Sequence, residues 1–134
     1  MAFKYQVGLG SVGSYQVSGK PWITGSTLPG TIEHQITFPS VAKAVTIINT
    51  ESAGDPGTAD LRVHFNSTGS GNVVSGKHFV TLDDRKDSLT ITCKCKEIFI
   101  SNPGSTSSEY QILAELTGIS TNEMFVLTGS GLTD

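Results

Sequence analysis

The stretch SLTITCKCKEIFIS, Ser88 to Ser101, decides the fold class. Leu89, Ile91, Cys93 and Cys95 recur at every second position, with Thr90, Thr92, Lys94 and Lys96 between them. Apolar–polar alternation of period two marks a half-buried β-strand. The same pattern runs outward in both directions. TIEHQITF sets Ile32, His34, Ile36 and Phe38 on one face, and VAKAVTIINT follows Pro39 with β-branched residues on both faces. LRVHF, KHFVTL, YQILAEL and the closing EMFVLT read as further strands, and KYQV and SYQV near the start as two short ones.

Between the strands lie ESAGDPGTAD, NSTGSGNVVSGK, LDDRKD, NPGSTSSE and TGISTN. These carry turn chemistry: Gly for positive φ, Pro for fixed φ, and Asn, Asp and Ser for bonds to their own backbone. No window carries helical spacing without an equally good strand reading. The expected fold is all-β, an antiparallel two-layer sandwich of jelly-roll-like form with about eight short strands. Residues 1–30 read as an N-terminal arm with the first short strands, and residues 31–134 as the sandwich.

The 134 residues suffice for one domain with an ordinary core. The net charge is −3 and the nine Lys and Arg are scattered, so no basic run tracks a phosphate backbone; nucleic acid is not an expected partner. Charged residues are 16%, below the usual ~25%. Together with abundant Ser, Thr and Gly, this suits surfaces covered by other chains, and equally any small β domain. No segment approaches the ~20 apolar residues of a membrane helix, and MAFKYQVGLG lacks an apolar signal core. The expectation is cytosolic synthesis without export or membrane attachment, which makes the sequon at Asn66–Thr68 incidental. Two cysteines suit a reducing compartment.

The chemistry-bearing residues read mostly as structural. Cys93 and Cys95 point the same way on a strand, but zinc needs two further ligands and no CxxC or HxxxH pair exists. Buried thiols are the expectation. Asp83, Asp84 and Asp87 share their turn with Arg85 and Lys86 and lack calcium-loop spacing, so a solvated turn is expected. His34, His64 and His78 sit in or at strands, and His34 shares the apolar face of its own. No Gly-x-Ser-x-Gly elbow or phosphate loop is present. The expectation is a protein without catalytic residues, metal or cofactor.

Trp22, the single tryptophan, lies in GSVGSYQVSGKPWITGSTLPGT, Gly10 to Thr31. Three uses are open for it. It can anchor an arm in a neighbour's pocket, stack on a sugar with Tyr5, Tyr15 and Tyr110, or cap one end of its own sandwich. For assembly contacts the candidate residues are Tyr15, Pro21, Trp22 and Ile23, because aromatic anchors dominate binding energy.

The succession VSGKPWITGS, EHQITFPSVAKAVTIIN, KCKEIFISNPGS, YQILAELTGI and the terminal LTGSG resembles small virion structural proteins of tailed phages, those of large marine cyanophages in particular. The resemblance runs over nearly the whole chain. It implies a β-sandwich component of the particle, most simply a capsid decoration (cement) protein. The partners implied are the major capsid protein or other virion proteins, with homo-oligomers or symmetry-related copies on the shell. The location implied is the virion. A tail, neck or fibre component has the same composition, and a host-glycan-binding β-sandwich is the reading from a different functional class.

Overall fold

A computed structural model describes residues 20–50, 61–69, 73–83 and 86–127. Seven strands occur among them: β1 Lys20–Leu28, β2 Glu33–Asn49, β3 Leu61–His64, β4 Val80–Leu82, β5 Ser88–Ile91, β6 Cys95–Ser101 and β7 Ser108–Leu116. Every pairing is antiparallel. Their order is β1-β7-β2-β6-β3-β4, with β5 also on β2. The all-β, antiparallel reading of the sequence holds. KYQV and SYQV, with Tyr5 and Tyr15, lie outside the described residues.

The seventeen-residue β2 organises the sheet. Its first half pairs with β6, and its second half lies between β7 and β5. Pro39 was expected to separate two strands, but the chain runs through it as one. Between the pairs Thr37↔Glu97 and Ala42↔Cys95, four residues of β2 oppose one of β6. Pro39 sits in that bulge, where its missing N–H interrupts no ladder bond. Val41 turns to a different partner there. Its N–H donates to the Ile119 carbonyl at 3.0 Å, and its carbonyl accepts from the Thr117 N–H at 2.9 Å and hydroxyl at 2.7 Å. Val41, Ile119 and Met124 form a small second cluster at this corner.

One large buried cluster draws on four strands: Ile36 and Phe38 of β2, Leu61 and Val63 of β3, Ile98 and Ile100 of β6, and Ile112 and Ala114 of β7 among others. Two layers sharing β2 are compatible with this arrangement.

Two expectations need correction. SLTITCKCKEIFIS is two strands, β5 and β6, laid end to end along one side of β2. The same bulge shifts parity, so the core set passes from Cys95 to Ile98 and Ile100, and Phe99 takes the opposite side of the strand, where it is buried against His64. EMFVLT is no strand: Thr121–Glu123 form a 3-10 turn capped by Ser120, and Met124–Leu127 continue without regular structure. Lys20–Leu28 forms β1, which pairs with β7 over all nine residues. The sheet therefore begins well inside the segment 1–30.

Candidate interaction surface

β1 alternates from Pro21 to Gly25, and that divides the candidate residues between two faces. Trp22 turns inward and is half-buried. Its ring meets that of Phe38 edge-on, with centroids 5.4 Å apart. Pro21 and Ile23 turn outward, Ile23 with 75% of its surface exposed. Of the three uses open to Trp22, its packing supports the cap on its own core, so the trio is not one anchor. Tyr15 lies outside the described residues.

The outer face formed by β1, β7, β2 and β5 can be read from the registers. Ile23 stands opposite Leu113, Leu113 opposite Thr46, and Thr46 opposite Thr90. Thr46 and Thr90 share a hydroxyl–hydroxyl bond of 3.1 Å, while Leu113 is 42% exposed. Ile23 and Leu113 thus form an exposed apolar rung on a face otherwise made of hydroxyls, small residues and a few charges. The next rungs are Gly25–Gln111 and Thr27–Glu109. A Cβ on Gly25 would stand 2.9 Å from the Tyr110 carbonyl oxygen, so the two strands approach too closely there for any larger residue. A shallow depression of about 360 Å³ opens at these rungs and reaches Thr50 at the end of β2.

Where β2, β6 and β3 run side by side, His64 is buried beneath the turn that follows β3. Its Nε2 lies 2.9 Å from Ser101 Oγ, its Nδ1 2.6 Å from the Asn66 carbonyl, and Glu33 Oε1 is 3.7 Å from Nδ1. The short Asn66 contact requires the proton on Nδ1, so Ser101 donates to Nε2. Phe99 stacks on the ring, with centroids 6.0 Å apart. Glu33 receives the Ser67 hydroxyl at 3.0 Å and the Thr68 N–H at 2.9 Å. Burial is the main cause that lowers the His64 pKa. The Asn66 bond and Glu33 oppose this, and Arg62 adds to it. A serine, a histidine and a carboxylate therefore meet, but the imidazole is wholly enclosed. A general base must reach a substrate's leaving group. The group instead ties β2, β3, β6 and the turn at 66–69 together.

The remaining predicted residues are placed apart from one another. His34 Nδ1 and the Tyr110 hydroxyl are 3.0 Å apart, a satisfied pair at the edge of the core. Burial raises the Tyr110 pKa, partly offset by the Ser26 hydroxyl. Cys95 is buried and Cys93 half-buried. A hydrogen bond from Cys95 lowers the Cys93 thiol pKa against the effect of burial; the same bond, with burial, raises that of Cys95. Among the described residues no three His, Cys, Asp or Glu gather as metal ligands. Asp84 and Arg85 of the acidic turn lie outside the described residues.

Sequence reasoning named Ile23 but missed Leu113 and the rung the two form. Its signal was present: Leu113 interrupts the polar parity of YQILAEL, and Ile23 does the same in β1. The His64–Ser101–Glu33 group had no such signal, because only the pairings β2–β6 and β3–β6 bring it together.

No protein-family model and no curated protein matches the sequence. Solved structures similar to the chain include a mitogen derived from Yersinia pseudotuberculosis, with a TM-score of 0.42 and 16% identity over 73% of this chain and 86% of that one. CapF bound to the inhibitor 3-isopropenyl-tropolone gives 0.38 and 12% over 74% of this chain. IMPa from Pseudomonas aeruginosa with an O-glycopeptide gives 0.40 and 18% over 75%. The matched part spans 25% of CapF and 13% of IMPa. Likenesses this loose carry no argument about activity, substrate or partner.

Proposed function

We propose that the chain is a non-enzymatic structural protein of a tailed-phage virion, of the capsid-decoration type, acting through protein–protein contact. The virion assignment rests on the sequence resemblance alone. The mode of action rests on one observation: the exposed Ile23–Leu113 rung on a broad, weakly charged sheet face. Apolar side chains ringed by hydroxyls and small residues make a contact surface with little charge to desolvate. Each contact can be weak, since copies repeated over a shell add their contributions by symmetry. The sealed Ser101–His64 pair agrees with a role that needs no catalytic residue.

The test is co-sedimentation of the purified protein with tail-free heads, with copy number per particle counted by quantitative mass spectrometry. Decoration requires hundreds of copies per head, and occupancy that falls on Ile23→Asp with Leu113→Asp. A dozen copies or fewer assigns the protein to the neck, tail or fibres. Absence from heads and particles alike removes the virion reading.

A further inference from the structure

The depression beside the apolar rung has a lining of a definite chemical kind. Thr27 and Thr50 bring hydroxyls, Glu109 a carboxylate and Gln111 an amide, with Gly25 between them and Ser26 and Tyr110 completing the lining. Among the described residues none of the Thr27, Thr50, Glu109 and Gln111 side chains is engaged in a hydrogen bond or an ion pair. Together they provide donors and acceptors of both signs, aimed at one space of about 360 Å³, within the usual size of small-ligand sites. Among the described residues no lysine or arginine borders it, so the charge of Glu109 is unfavourable to anions. A carboxylate can accept from two adjacent hydroxyls of one ligand, and an amide can both donate to and accept from a neighbouring one. One rung away, Ile23 and Leu113 offer an apolar surface to the C–H face of a ring.

We infer that this depression is a binding site for a neutral sugar ring, with Glu109 and Gln111 reading its hydroxyls and Thr27 and Thr50 bordering it. Sugar recognition thus moves from Trp22 to the opposite face of the same strand. An open site with four polar contacts binds weakly, in the millimolar range for one ring. Many copies on one particle would raise the avidity on a surface bearing many such sugars. The inference stands apart from the virion reading, since it rests on the lining of the depression alone.

The experiment is a titration of the isotopically labelled protein with glucose, galactose and N-acetylglucosamine in turn, followed by amide chemical shifts. Saturable shifts confined to Gly25, Thr27, Glu109, Gln111 and their neighbours are expected with at least one of the three. Glu109→Gln should weaken binding about tenfold or more, the usual scale for a hydrogen bond to a charged group. Gln111→Ala should weaken it independently. Ser88→Ala, on the far strand of the same face, should leave it unchanged. Absence of saturable shifts with all three sugars overturns the inference, as does binding that both Glu109→Gln and Gln111→Ala leave intact. Either result leaves the head-sedimentation test of the virion reading untouched.

Discussion

Replacing Trp22 with alanine separates the two faces of β1 in a single measurement. The indole is half-buried and meets Phe38 edge-on at 5.4 Å. A fully buried Trp→Ala change costs about 3–5 kcal/mol, and half-burial brings this to roughly 2 kcal/mol. Loss of the edge-to-face pair adds about 0.5–1 kcal/mol. For a domain of this length, 2–3 kcal/mol lowers Tm by about 10 °C. Ile23→Ala removes a side chain that is 75% exposed, so its effect should stay within about 0.5 kcal/mol. The assay is thermal unfolding of the two variants beside the parent, followed by circular dichroism. Equal Tm values for Trp22→Ala and the parent would refute the inward placement of Trp22. A loss in Ile23→Ala as large as in Trp22→Ala would refute the alternation in β1.

Ile98 has no exposed surface and lies in the central strand β6. Ile98→Asp should abolish the cooperative unfolding transition, since an unpaired buried charge is very costly, whereas Ile91→Asp, on half-buried β5, should leave a folded but weakened protein. His64 is held neutral by burial, so its folded pKa lies below the ordinary 6.5. Below that value the unfolded chain binds a proton that the folded chain refuses. Tm should therefore fall as pH drops from about 6.5 toward the folded pKa, and should be flatter in that window in His64→Gln. The thiols should react in order: iodoacetamide modifies Cys93 in the native protein and Cys95 only after unfolding, as mass spectrometry of partially labelled protein can check.

Period-two alternation made the all-β class legible, because it is a local property of each strand. It also placed Ile32 and His34 beside Ile36 and Phe38, and the last two are core residues. What it missed came from irregularities. Four residues of β2 against one of β6 let a proline stand inside a long strand and changed which residues of β6 face inward. A bulge leaves no mark on composition, and a proline usually does end a strand. The use of Trp22 stayed open for a related reason. Gly, Ser, Thr and Pro around it suggested a loose arm, yet edge strands tolerate that composition, and β7 supplies all the pairing β1 needs. The depression at Gly25 was not legible at all, since its lining comes from β1, β7 and the end of β2, which are distant in sequence.

The pairing of β1 with β7 also has a consequence in time. About eighty residues lie between Leu28 and Ser108, the rung where the two strands meet nearest their turn-side ends. A ribosome adding roughly 5–20 residues per second needs about 4–16 s to make them. Through that interval β1 waits without its partner, with Trp22 and Ile23 both uncovered. Pro21 and Gly25 make β1 a poor template for pairing with another nascent chain. The composition that disguised β1 as an arm is also what lets it wait.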